Sequence, residues 1–99
     1  MEAAAAIADP IRRRVLELVR DAEVPAGELA GHFEVSRPAV SRHLRVLREA
    51  GLVQERREGR LRLYRADPTP LNELREWLEG YWDERLDALR SLAEKEPAP

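Results

Sequence analysis

The stretch Ser36-Arg37-Pro38-Ala39-Val40-Ser41-Arg42-His43-Leu44-Arg45-Val46-Leu47-Arg48-Glu49-Ala50-Gly51-Leu52-Val53 decides how this chain is read. Val40, Leu44 and Leu47 fall at the i, i+4 and i+7 positions of a helix that buries one face. Ser36 is suited to cap its N-terminus, and Pro38 is tolerated in the first turn because its missing N–H would have no intrahelical partner. Ala50-Gly51 ends it, with Gly51 free to take the left-handed conformation that closes many helices. At about 100° per residue, Arg37, Pro38, Ser41, Arg42, Arg45 and Arg48 share the side opposite the aliphatic row. The spacing therefore predicts a helix over about 37–50, apolar on one side and basic and hydroxylic on the other.

Downstream, two segments, Leu52–Arg57 and Arg60–Ala66, meet at Glu58-Gly59. The alternation of Leu61 and Leu63 with Arg62 and Tyr64, and the glycine at the bend, predict a two-stranded hairpin over about 52–66 with arginine on both sides of its tip. Beyond Pro68 and Pro70, Leu71, Leu74, Leu78, Tyr81, Trp82, Leu86, Leu89 and Leu92 follow in three- and four-residue steps, predicting a helix over about 70–94. That stripe is longer than a small domain needs to close its own core, so half of it is free for a second subunit. Gly80 within it costs roughly 1 kcal/mol of helix propensity, which a close partner helix or a kink would explain.

Upstream, Glu2–Ile7 is an alanine-rich helix former, and Asp9-Pro10 reads as a cap and first residue of a second helix running to about Asp21. Val24-Pro25 interrupts the chain before a short third helix, Glu28 to Phe33, and a turn at Glu34-Val35-Ser36 leads into the basic helix. The expected order is α-α-α-α-β-β-α: a mainly helical winged helix-turn-helix in one domain over 1–95, with 96–99 as a frayed tail.

Composition first points the other way. The 99 residues carry a net charge of −2, and phosphate backbones reward positive charge. The charge is segregated, however: residues 1–35 sum to −3, residues 36–65 to +6 and residues 66–99 to −5. All nine positive charges of the central segment are arginine, a nucleic-acid footprint where it is not merely a solvated, ion-paired face. The absence of cysteine excludes disulfides, thiolate metal sites and catalytic thiols. No apolar run approaches the roughly 18 residues that span a bilayer, so the expectation is a cytoplasmic protein without a membrane partner.

The docking geometry of such a motif assigns roles. In the first two turns of the basic helix, Arg37, Pro38, Ser41 and Arg42 reach base edges, where a guanidinium matches the O6 and N7 acceptors of guanine. Ser36, Arg45, Arg48, Arg56, Arg57, Arg60 and Arg62 are candidates for the sugar-phosphate backbone. Blander readings stand beside these. Arg48 and Glu49 at the helix end fit simple solvation, His43 fits a hydrogen-bonded histidine at the edge of the core, and His32 fits a surface turn. The leucines and tryptophans of the last helix fit core or subunit seam better than a cofactor pocket. No serine has a histidine base placed by a recognisable motif, and no glycine-rich phosphate loop occurs, so an enzyme is not expected.

With these residues in place, the chain resembles the ArsR/SmtB family of bacterial winged-helix repressors. The resemblance rests on the quoted run, preceded by Ala8-Asp9-Pro10-Ile11-Arg12-Arg13-Arg14-Val15-Leu16 and followed by Arg57-Glu58-Gly59-Arg60 and Tyr64. It implies a homodimer paired through the first and last helices, with Ile7, Leu74, Leu78, Tyr81, Trp82, Leu86 and Leu89 as interface candidates. It also implies binding to double-stranded DNA at an inverted repeat, under a small-molecule or protein effector that no residue pattern identifies. Where the family's thiolate box would lie, this chain has Glu23-Val24-Pro25-Ala26-Gly27-Glu28-Leu29. At the family's second metal site the last helix offers Asp83, Glu84 and Asp87 without histidine. The resemblance is thus to metal-independent members, with no metal and no cofactor expected. The alternative is a winged-helix interaction module that docks a partner protein through its last helix.

Overall fold

The computed structural model describes residues 2–95, so the expected frayed tail at 96–99 lies outside the described residues. Helix α1 (Glu2–Ala6) buries Ala3 and Ala6 and is tied to the helix that follows it by arginine. Arg12 Nε donates to the Ala6 carbonyl at 2.6 Å and its Nη2 to that of Ala5 at 3.3 Å, while Arg13 Nη1 donates to that of Ile7 at 2.8 Å. Carbonyls at and just past the C-terminus of this five-residue helix thus receive charged donors. Helix α2 (Pro10–Leu18) begins as its sequence indicates, with the Asp9 carboxylate accepting from the N–H groups of Ile11 at 2.8 Å and Arg12 at 3.1 Å. It ends at Leu18, short of Asp21.

Val24-Pro25 does more than interrupt the chain. These residues form a short edge strand, β1 (Val24–Pro25), in register with Tyr64 and Leu63 of the later hairpin. The sheet therefore has three antiparallel strands rather than two. Two residues are too few for a period-two pattern to show, and a proline, lacking a ladder donor, is confined to an edge. Helix α3 (Ala26–Ala30) also stops earlier than expected. The His32 and Phe33 N–H groups bond three residues back, to Leu29 and Ala30 at 3.1 and 3.3 Å, a tightened ending that lengthens the connection to the next helix.

Helix α4 (Arg37–Glu49) conforms to its sequence at both ends. Ser36 Oγ accepts from the Ala39 N–H at 3.2 Å. At the other end Gly51, with φ 74°, lets its own N–H reach the Arg48 carbonyl at 3.0 Å and lets the Leu52 N–H reach that of Leu47 at 2.9 Å. This pair of bonds is a Schellman ending, and it drops Leu52 into the core beside Leu47. Strands β2 (Val53–Glu58) and β3 (Leu61–Ala66) pair from Val53↔Ala66 to Glu58↔Leu61. The two residues between them are Gly59 and Arg60, and only Gly59 has positive φ, at 59°, as in a II′ hairpin.

Val15, Val19, Leu29, Val40, Leu44, Leu47, Leu52 and Val53 form the core, with Ile7 and Leu71 packed at its margin. Helix α5 (Thr69–Lys95) contributes only its beginning. Leu74 is 8% exposed, whereas Trp77, Leu78, Tyr81, Trp82, Leu86, Leu89 and Leu92 stand out in solvent, Trp82 with 61% of its surface free. At 27 residues the helix spans about 40 Å. It stretches the molecule to 70 × 25 × 21 Å, with a radius of gyration of 19.3 Å where a chain of this length ordinarily has about 13 Å. Two of the expected interface residues pack within the protomer itself: Ile7, after α1, is partly buried against the core, and Leu74 is buried at the start of α5, where an unbroken stripe does not mark the end of the protomer's core.

Two glycine substitutions test this backbone. Replacing Gly59 with alanine forces a Cβ into the left-handed region and should lower stability by about 1 kcal/mol. Gly80→Ala meets no atom within 4 Å of the new Cβ and should raise stability by up to about 1 kcal/mol. Urea denaturation of both variants checks the pair, and destabilisation by Gly80→Ala would reveal a close approach at that point.

Candidate nucleic-acid interface

Because Val40, Leu44 and Leu47 are held inside, the rotation of α4 about its axis is set, and Arg37, Pro38, Ser41, Arg42, Arg45 and Arg48 are all exposed. Facing them across a shallow groove stands the hairpin. The groove is lined by Ser41, Arg42, Arg45 and Arg48 from α4 and by Arg62 and Tyr64 from β3. Residues paired across the ladder share a face, so Glu55 with Tyr64 and Arg57 with Arg62 look toward α4. Like charges directly opposite each other in a ladder are unfavourable. Arg57 and Arg62 are therefore a pair that an anion would relieve. Arg60 occupies the hairpin tip, and Arg37, Arg42, Arg60 and Arg62 have no ion-pair partner among the described residues.

Two of the expected backbone-contacting arginines are engaged by carboxylates of the chain itself. Arg56 points to the far side of the hairpin, where its Nε and Nη2 form a bidentate pair with Glu23 at 2.9 Å and Nη2 also reaches Glu58 at 3.2 Å. Hydrogen bonding to Glu23 raises the arginine's pKa further, and hydrogen bonding to Arg56 lowers that of Glu23. Arg56 thus straps the segment before β1 to the wing instead of joining the groove. Arg48 does lie in the groove, but its Nη1 donates to Glu55 Oε2 at 2.6 Å. Arg45 is only loosely associated with Glu49, at 3.9 Å.

Glu55 is a residue whose role the sequence reading missed. Its side chain is 11% exposed, and it accepts the Tyr64 hydroxyl at 3.3 Å in addition to Arg48, with Arg57 Nε at 3.7 Å. The hydrogen bond from Arg48 holds its pKa below the ordinary 4.5, overriding the opposing effect of burial. Burial, with Glu55 adding negative charge alongside, pushes the Tyr64 phenol up. Period two was the available signal, since Glu55 alternates in phase with buried Val53. His43 is where its position suggested, at the margin of the core: Arg12 Nη1 lies 3.3 Å and Asp9 Oδ1 3.9 Å from its Nδ1. These interactions join the basic helix to the start of α2.

Among the described residues, no three His, Asp or Glu side chains converge to hold a metal ion, and no helix is long and apolar enough to cross a membrane. The profile of the bacterial regulatory protein arsR family matches residues 9–55, from the cap of α2 to the middle of β2. Over 91 residues the chain is 43% identical to the HTH-type transcriptional regulator Rv2034 of Mycobacterium tuberculosis, covering 92% of this chain and 85% of that protein. The chain belongs to the ArsR family. It is also 36% identical over 76 residues to the transcriptional repressor SdpR of Bacillus subtilis, covering 77% of this chain and 84% of the relative. An ArsR-like transcriptional regulator from Rhodococcus sp. RHA1 superposes with a TM-score of 0.81 at 35% identity, over 97% of this chain and 91% of that one. This ArsR-family chain is thus a DNA-binding transcriptional regulator with a mainly helical, winged fold, and its relatives are regulators rather than enzymes.

The ion pairing in the groove has a consequence for acid stability. Since the pKa of Glu55 is lowered by folding, the stability it contributes is fully present above its ordinary value of 4.5 and is lost as pH falls through the lowered one. Glu55→Gln should therefore flatten the acid limb of the stability profile below about pH 4.5 and leave the slope at neutral pH unchanged. Thermal melts across pH 2 to 7 measure this, and an unaltered acid limb would contradict it.

Proposed function

We propose that this ArsR-family regulator is a homodimeric repressor, in which two α4 helices enter successive major grooves of an inverted-repeat operator. The observation that carries the reading is the groove in which Ser41, Arg42 and Arg45 of α4 face Arg62 of β3, with Arg37 exposed at the start of the same helix and Arg60 at the hairpin tip. Arg37, Pro38, Ser41 and Arg42, in the first turns, read base edges, with arginine matched to guanine. Ser36, Arg45, Arg57, Arg60 and Arg62 hold the sugar-phosphate backbone on either side. Two-fold symmetry sets half-sites about 34 Å apart. A repressor role is supported by the similarity to SdpR.

The exposed apolar half of α5 supports self-association, through Leu78, Tyr81, Trp82, Leu86 and Leu89, with Trp77 added to the residues expected from sequence. The family's soft-metal chemistry requires thiolates that this sequence lacks, so we assign the regulator to the members that respond to something other than a thiolate-bound metal. The same α5 face also favours a second reading, in which it docks a different protein. A monomer in solution that ignores DNA would speak for that reading.

Selection from random duplexes with the purified protein, followed by sequencing, should return an inverted repeat. Arg42→Ala should relax base preference at one position in each half-site, at a cost of about 1–3 kcal/mol. Arg60→Ala should instead weaken all sequences alike and reduce the salt slope by about 0.9 for each phosphate that is no longer neutralised. Trp82→Glu should convert the dimer to a monomer by light scattering and abolish operator binding together with it. Equal and uniform effects of Arg42→Ala and Arg60→Ala would refute the division between base and backbone recognition.

A further inference from the structure

The groove that faces DNA in this reading contains one nearly buried carboxylate, and that is unusual for a surface meant to meet phosphate. Glu55 projects from β2 toward α4, where it receives Arg48 at 2.6 Å and the Tyr64 hydroxyl at 3.3 Å, with Arg57 at 3.7 Å. Its neighbours come from both structural halves of the interface, namely the basic helix (Arg48) and both strands of the wing (Arg57 and Tyr64). Charge-assisted bonds of this kind fix geometry as well as adding energy.

We propose that Glu55 is a specificity-determining positioning residue: it holds Arg48 as a strut between the basic helix and the wing and withholds that charge from phosphate. The proposal rests on the DNA-binding reading above. Phosphate contacts raise affinity for every sequence equally, whereas base contacts discriminate. An arginine held by an internal carboxylate sets the spacing between helix and wing without adding to sequence-independent attraction. Arg57 is drawn toward the same carboxylate, more weakly, at 3.7 Å. Glu55 thus trims the electrostatic footprint of the +6 segment where it is densest, while the free Arg37 and Arg42 keep their access to bases.

The test is the salt dependence of binding to two probes, a random-sequence duplex and the operator recovered by selection, for wild type, E55Q, R48Q and the double variant. Each additional phosphate neutralised steepens the logarithmic salt slope by about 0.9, which is about eightfold in affinity per decade of salt. E55Q should bind the random duplex more tightly, with a slope steeper by at least about 0.9, and its preference for the operator should fall. R48Q alone should leave the random-duplex slope where it is, and adding it to E55Q should take back about 0.9 of the gain. If E55Q weakens both probes equally at an unchanged slope, Glu55 is only a structural brace and the proposal fails. The proposal also fails if R48Q alone flattens the slope by about 0.9, because Arg48 would then already contact phosphate in the presence of Glu55. Should melting show E55Q unfolded, the R48Q arm decides alone. Failure of the DNA reading itself looks different, since wild type would then bind neither duplex in a salt-dependent way.

Discussion

The burial of Val40, Leu44 and Leu47 in the core is the constraint from which the rest of the architecture follows. A helix with three inward aliphatic anchors has no freedom to rotate about its axis, so every residue on its other side has an assigned direction. The Schellman ending carries that constraint onward. It seats Leu52 in the same core and launches β2 from a fixed point, and the Asp67 N–H returns to the Leu52 carbonyl at 2.8 Å to bring the end of the hairpin back to the same place. Helix, wing and the root of α5 are therefore one mechanical unit. The groove between them is a rigid consequence of core packing and not a product of loop conformation.

Charge in this unit is arranged in two layers. One layer serves internal ties: Arg12 and Arg13 on the carbonyls that end α1, Arg56 on Glu23, and Arg48 on Glu55. The other layer, Arg37, Arg42, Arg60 and Arg62, is unpaired among the described residues: Arg42 and Arg62 line the groove, Arg37 stands at the start of α4 and Arg60 at the wing tip. Arginine suits both tasks, because a planar fork can cap carbonyls and clasp carboxylates inside the fold and still match guanine or phosphate outside it. The sum of charges along the sequence cannot separate the layers, which is why a −2 chain can carry a strongly basic surface.

What was legible in the sequence was local. The caps at Asp9 and Ser36, the closing Gly51, the periodicity of α4 and the glycine of the hairpin tip all act within a few residues, and all stand where the pattern puts them. What was not legible depended on pairing across the chain. Strand β1 exists only because Tyr64 and Leu63 lie alongside Val24 and Pro25. Arg56 is removed from the groove by Glu23, 33 residues away. Arg48 is held by a carboxylate whose inward direction follows from strand register rather than from composition. On the long helix, the continuity of the leucine pattern hid the boundary between Leu74, which the protomer itself covers, and Trp77 and Trp82, which it leaves bare.

That bare half of α5 also bears on how such a regulator responds to its own abundance. In the proposed dimer, a helix that runs about twenty residues past Leu74, the last that its protomer covers, would gain its missing neighbours only from association, so folding and assembly would be linked equilibria and the melting temperature would rise with protein concentration. At concentrations where protomers predominate, the proposed dimer is populated in proportion to the square of their number. Occupancy of an operator would then climb more steeply than expression does, and a threshold response would be written into the length of one helix before any effector is considered.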